Sequence, residues 1–385
     1  MPSPKMIRRL RRRDVAVGGV SLLLVVAVVA MTLVRQRSSA RSVSCQSNLR
    51  QIGLALHNYA RSDPQTAFCS GAMDARLDGW PERVGWVRDI RDQLNASTLM
   101  DPGSDLAGTK AIADLITIQR SASPIELQEL AETKPNSPER VQLIREALVT
   151  DGLSTNYCVS WLLARTEPKT VFDFDHDRER SDPAFDQFRT RDSCHGSLTQ
   201  ALVDRSRLPA ANLPMVGCGN TGQHAELFVD LAAPATTMRL VKGAKMAATM
   251  TSGPSFYDRE ANEIGRLVGG VSLAAQTDCE RAQPSTIDCV APTGPEGNGL
   301  YLQDTRQWTA LHNGQLNLLM TDGAVKAFQD RSGDRLLNPG FVPRSEVSST
   351  GAPEFRSYND GDVELPVHQF YGGVTFREQN FSGYF

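Results

Sequence analysis

Val15 to Val34 reads VAVGGVSLLLVVAVVAMTLV, twenty residues with no charge and only two hydroxyls, Ser21 and Thr32. At about 1.5 Å rise per residue such a helix spans roughly 30 Å, the thickness of a bilayer's hydrocarbon core. The helical pattern does not stop there. Cys45, Leu49, Ile52, Leu56 and Tyr59 recur at alternating spacings of four and three, with Gln46, Arg50, Gln51 and Asn58 between them. That is a narrow apolar stripe on a helix surface. No proline interrupts the run before Pro64. The pattern predicts one helix that crosses a membrane over 15–34 and continues over 35–62 against a folded domain.

The flanks of the apolar run set an orientation. Lys5, Arg8, Arg9, Arg11, Arg12 and Arg13 precede it, whereas only Arg35, Arg37 and Arg41 follow closely. The positive-inside bias therefore places a basic tail, 1–14, in the cytoplasm and the remainder, 63–385, outside as an ectodomain. Two other readings compete. A cleaved secretory signal is disfavoured by the length of the run and by the poor small-residue site Ser38-Ser39-Ala40. A buried core helix is disfavoured by twenty uncharged residues behind six basic ones.

The formal charge of −3 over 385 residues argues against nucleic acid as a partner, since phosphate binding needs a basic surface. Seven cysteines (Cys45, Cys69, Cys158, Cys194, Cys218, Cys279 and Cys289) all follow the apolar run, in the compartment where disulfides persist. None forms a Cys-x-x-Cys. Cys279 with Cys289, across a short loop, and Cys194 with Cys218 are the expected pairs, and an odd count leaves at least one thiol over.

Taken in order, 63–105 is irregular, punctuated by Pro64, Gly71, Gly79, Pro81 and Gly85, with Trp80, Trp86 and Val87 at the edge of a core. Residues 108–151 read as a helical insert, with helical spacing at 111–120, 124–132 and 138–148. Thr155 to Leu163 (TNYCVSWLL) is β-branched and aromatic and predicts a strand. A helix is expected over 197–205, and the C-terminal third should be mainly β. The fold class is therefore α+β, with a long N-terminal helix packed on a β-rich domain.

The clearest local signal comes late. Gln315 to Met320 and Val325 to Gln329 both alternate around Thr321-Asp322-Gly323-Ala324, and Asp-Gly between such runs marks a tight hairpin. His312 precedes Asp322 by ten positions, and Asp330-Arg331-Ser332-Gly333-Asp334-Arg335-Leu336-Leu337-Asn338-Pro339-Gly340-Phe341 follows. Together with Leu300 to Asp304, this stretch (297–342) resembles the H-X9-DG domain of a large prepilin-like family of unknown function, abundant in planctomycete-type bacteria. Cys45 to Tyr59 (CQSNLRQIGLALHNY) is similar to the signature at the end of that family's anchor helix. The two matches lie at opposite ends of the chain and in the family's order.

There is one departure from the family pattern. Members carry a Gly-Phe leader cleavage site with a Glu soon after it, and here Arg11 to Asp14 stands in that place. Counting back from Cys45 puts Asp14 where the family's Glu falls. The resemblance therefore implies an uncleaved, anchored relative.

Chemistry is sparse in the sequence. No G-x-S-x-G, H-E-x-x-H or phosphate-binding glycine loop is present, so no enzyme is expected. His312 with Asp322 has the residue types of an acid–base pair. The plainer account makes Asp322-Gly323 a turn and gives the histidine a backbone partner, worth about 0.5–1.5 kcal/mol. Asp330, Ser332 and Asp334 match the first half of a calcium loop, but Arg335 replaces its glycine and no Glu stands at the twelfth position, which favours a solvated turn without cofactor. Gly217-Cys218-Gly219-Asn220 has a nucleophile-turn look, though a disulfide half is the commoner outcome. The reading is a membrane-anchored, pseudopilin-like structural or interaction protein of the envelope. Its partners would be the bilayer and, through self-association or docking, other envelope proteins. The alternative is a tethered extracytoplasmic ligand- or calcium-binding module.

Overall fold

With no proline to break it, the N-terminal pattern forms one helix, α1 (Arg12–Ser62), 51 residues long. A computed structural model describes residues 12–81, 83–119, 130, 132–150, 152–186, 188–227, 229–231, 240–258, 261, 263–282, 300–341, 358–359 and 361–376. The expected basic tail up to residue 11, most of the expected helix at 124–132, and Cys289 lie outside them. Along α1 the surroundings change with the sequence. Leu22 to Met31 stand exposed, Leu23 by 70%. By length and composition this part suits either a membrane span or a signal sequence. From Cys45 onward one face is covered: Cys45, Leu49, Ile52 and Leu56 are fully buried, and Tyr59 is packed partly into the same core. The stripe seen in the sequence is the face that meets the domain.

That domain is mixed helix and antiparallel sheet. Its strands, in chain order, are β1 (Tyr157–Val159), β2 (Thr170–Asp173), β3 (Arg178–Ser181), β4 (Pro214–Cys218), β5 (Thr221–Glu226) and β6 (Lys245–Ala247). They continue with β7 (Gly253–Asp258), β8 (Glu263–Arg266), β9 (Leu302–Asp304), β10 (Gln315–Met320) and β11 (Val325–Gln329). The main sheet has the order β1-β4-β10-β11 and carries α1 on one face. β8-β7-β9 form a second sheet, while β2–β3 and β5–β6 are separate pairs.

Helix and sheet approach closely where Gly53 faces Leu319; a Cβ at Gly53 would sit 2.8 Å from the Leu319 side chain. Polar side chains tie the same seam. Ser38 Oγ donates to Asn313 Oδ1 (2.7 Å) and Gln46 Nε2 to Asn317 Oδ1 (3.1 Å), and Asn317 Nδ2 reaches Ser42 Oγ (3.4 Å). α1 is thus core and sheet cover at once for half its length.

The hairpin lies where the alternation puts it, with Leu316 opposite Phe328 and Leu319 opposite Val325. Gly323 has φ +83°, and Asp322 Oδ1 accepts from the Ala324 amide at 2.9 Å. A Cβ at Gly323 would meet nothing within 4 Å, so the glycine is needed for conformation and not for space. We therefore expect Gly323→Val to lower stability by about 1–3 kcal/mol, because a β-branched residue resists positive φ. Gly323→Asn should cost clearly less, since Asn tolerates that region. Equal melting temperatures for the two variants would show that the turn does not depend on backbone handedness.

Two sequence expectations need correction. The strand expected over 155–163 is only β1; Ser160 then accepts from the Leu163 amide (3.0 Å) and caps a short helix, Trp161–Arg165. The aromatic run that suggests a strand is therefore split by an N-cap serine. In the insert, helix Lys110–Thr117 and helix Pro138–Ile144 form, and the latter continues as a π-helical turn over Arg145–Thr150. The helix expected over 197–205 starts three residues later, at Gln200, because Thr199 caps it, and it runs over Gln200–Arg205.

Candidate functional site

Four buried side chains from four distant segments converge beneath α1: Cys45, Asp101, Cys218 and His312. Each arrives by a readable local device. Cys45 heads the apolar stripe of α1, and Cys218 ends β4, beside its neighbour β10. His312 is held at the near end of β10 by a two-residue turn, Asn313-Gly314, whose φ values are +56° and +73°. Both central residues have the positive φ of the turn type that best fits a hairpin, and His312 and Gln315 exchange backbone hydrogen bonds at 3.1 Å across it. Asp101 opens an Asp-Pro-Gly turn in which its Oδ1 accepts from the Gly103 amide (2.8 Å). Asn156, just before β1, clamps that turn. Its Oδ1 accepts from the Asp101 amide (2.6 Å) and its Nδ2 donates to the Asp101 carbonyl (3.2 Å).

Within the cluster, Cys45 Sγ and Cys218 Sγ are 3.4 Å apart, and His312 Nε2 is 3.1 Å from Asp101 Oδ2. All four donor atoms lie within 4.8 Å of one another, and none of the residues is more than 2% exposed. Mutual contact sets their protonation. The hydrogen bond from Cys218 holds the Cys45 thiol down to about 7 against burial, with His312 adding to the effect. Burial and the same Cys45 contact push Cys218 well up. Burial alone would lower His312, but its hydrogen bonds to Asp101 and Cys45 carry it up to about 10. Asp101 follows the converse logic: burial would raise it, and the His312 contact holds it below the usual carboxylate range. Tyr157, 1% exposed, has its hydroxyl pushed well up by burial and by the charges of Cys45, Asp101 and Cys218, with the Asn48 side chain acting against them.

The residue types can in principle do three things: serve as a nucleophile–base–carboxylate line, oxidise to a disulfide, or hold a metal. Exposure weighs against the first, because a substrate carbonyl has no route to a thiol that is 0% exposed.

The structure separates the residues singled out in the sequence. His312 does not meet Asp322. The six residues of β10 put them roughly 20 Å apart along the strand, and the histidine's side-chain partners are Asp101 and Cys45. Cys218 does not pair with Cys194: both are free thiols, Cys218 against Cys45 and Cys194 near the Phe188 carbonyl (3.4 Å). The cause is topological, since Cys218 points from the main sheet toward α1 while Cys194 lies in the loop after β3. The expected pair Cys279–Cys289 falls partly outside the described residues.

The Asp330, Ser332, Asp334 run folds inward on itself. Asp330 accepts from the Gly333 amide (2.6 Å), the Arg335 amide (2.9 Å) and Ser332 Oγ (3.1 Å). Asp334 accepts from the Leu336 and Asn359 amides (2.7 and 3.0 Å). These carboxylates bind backbone donors where a calcium loop would turn them to a shared centre. Beside the run lies a cleft of about 260 Å³ lined by Asp105, Asn220, Lys245, Arg306, Asp334 and Arg335.

Sequence reasoning missed Asp101 and the pairing of Cys45 with Cys218. Two signals pointed that way: Asp101-Pro102-Gly103 is a turn former, and Asn313-Gly314 closes the end of β10 that carries His312. The convergence itself has no local signature.

No curated protein and no solved structure matches the chain. A family model described as "Protein of unknown function (DUF1559)" matches residues 35–334, a stretch that holds all four clustered residues. It begins just after the apolar run and ends beyond the hairpin, and on that match the chain belongs to this family of proteins of unknown function.

Proposed function

We propose that this protein is a membrane-anchored structural or interaction protein of the cell envelope, pseudopilin-like in build and without enzymatic activity. The N-terminus is cytoplasmic and the domain outside. The observation that carries this reading is the change of surroundings along one unbroken helix. Leu22 to Met31 are exposed and apolar, as a lipid-facing surface requires, and Cys45 to Leu56 are buried in the domain. The charge asymmetry around the apolar run supplies the orientation. The non-enzymatic reading is supported by the burial of the Cys45, His312 and Asp101 cluster, which keeps its thiol from a substrate.

Cell fractionation tests the proposal. The full-length chain should sediment with membranes and resist extraction by alkaline carbonate. Protease added to intact spheroplasts should remove the domain and leave a short protected N-terminal piece. Full-length protein in the soluble fraction, or a mature N-terminus beyond Val34, would refute the anchor.

The cleft beside Asp334 supports a second reading, a tethered module for a small polar ligand held by Lys245, Arg306 and Arg335. Under that reading, inorganic phosphate or a sugar phosphate raises the melting temperature of the wild-type chain but not of Lys245→Ala.

A further inference from the structure

We propose that Cys45, Cys218, His312 and Asp101 together bind one zinc ion, which fastens the buried half of α1 to the main sheet. The donor set is the first ground. Two thiolates, an imidazole and a carboxylate make a borderline-soft, four-ligand set of the kind that structural zinc takes. The second ground is distance. With metal–sulfur bonds of about 2.3 Å and metal–nitrogen or –oxygen bonds of about 2.0–2.2 Å, the edges of a tetrahedral site run from roughly 3.3 to 3.8 Å. The sulfurs here are 3.4 Å apart, the imidazole nitrogen and carboxylate oxygen 3.1 Å, and no two of the four donor atoms are farther apart than 4.8 Å. Closing around an ion therefore needs side-chain shifts well under the size of a rotamer change.

The third ground is support from outside the four. Asn156 fixes the backbone of Asp101, the Asn313-Gly314 turn fixes His312, and these two ligands are thereby placed before any ion arrives. A Cβ at Gly103 would stand 2.5 Å from His312 Cε1, so that glycine leaves the ring room. The buried Tyr157 hydroxyl beside the cluster is the fourth ground. Two thiolates and a carboxylate around a divalent cation leave a net negative centre, and a phenol is a donor suited to it. Binding releases the protons of both thiols and of the imidazolium to solvent as the ion enters. With exposures of 0–2%, entry belongs to folding and not to a surface exchange.

The test uses the full chain extracted in detergent from cells grown with zinc. Elemental analysis should find about one zinc per chain. Chain from cells grown with cobalt in place of zinc should show a thiolate-to-cobalt absorption that is absent from the zinc-grown protein. Cys45→Ser and His312→Gln should lose the zinc, while Cys69→Ser, which changes a buried thiol elsewhere, should keep it. Wild-type chain with no bound metal, with copper or iron in place of zinc, or with Cys45 and Cys218 joined in one disulfide-linked peptide overturns the proposal. Retention of zinc by both ligand variants overturns it equally. The cobalt and peptide measurements use unaltered protein, so a variant that fails to fold does not decide the matter.

Discussion

His312→Ala should lower the stability of the folded chain by about 3–5 kcal/mol, the cost of stranding a buried charge when its partner is removed. The residues concerned are His312 and Asp101, each 2% exposed and joined at 3.1 Å. Removing the ring leaves Asp101 with the Gly103 amide and the Cys218 thiol as side-chain contacts, and no cation. A histidine bonded only to nearby backbone, as the sequence suggests, would cost about 0.5–1.5 kcal/mol. Thermal melting of wild type, His312→Ala, Asp101→Ala and the double variant separates the cases. The pair predicts that the double variant is less destabilised than the two single effects summed. Strict additivity, or a loss below about 1.5 kcal/mol, would mean that the histidine is not paired across the core.

Leu56→Ala is expected to cost about 2–5 kcal/mol, because the side chain is fully buried where α1 meets the domain. Arg50→Ala, on the exposed face of the same helix, should stay within about 0.5 kcal/mol. Leu54 is a sharper control, being apolar yet 67% exposed; its change to Ala should resemble that of Arg50 and not that of Leu56. Equal, small effects at all three positions would mean that the helix stands off the domain as a stalk.

Periodic features were legible in the sequence, and convergent ones were not. The stripe Cys45, Leu49, Ile52, Leu56 is buried as its spacing demands, since a helix that covers a sheet must bury one face. β10 and β11 begin and end at the residues where alternation begins and ends, because Asp322-Gly323 permits only one register. The segment 155–163 misled because β-branched and aromatic residues favour strands on average, whereas Ser160 acts at one position by accepting an amide hydrogen bond. The clustered site was half visible. Cys45 and His312 stand out at opposite ends of the chain, but their meeting depends on how β4 and β10 bring Cys218 and the end of the hairpin under α1. Cysteine spacing carried no information about Cys194 and Cys218, because pairing distance is a property of the folded topology and not of the interval in the chain.

The seam between α1 and the sheet begins at Ser38, which reaches Asn313, only four residues beyond Val34. At about 1.5 Å per residue that is roughly 6 Å, about the depth of one headgroup layer. Where Val15 to Val34 cross a bilayer, the domain therefore has no swivel beneath it. Its azimuth is the azimuth of the span, and a neighbour that turns or tilts the helix within the lipid turns the whole exterior surface through the same angle. Such a part transmits torque across the membrane boundary without moving any joint of its own.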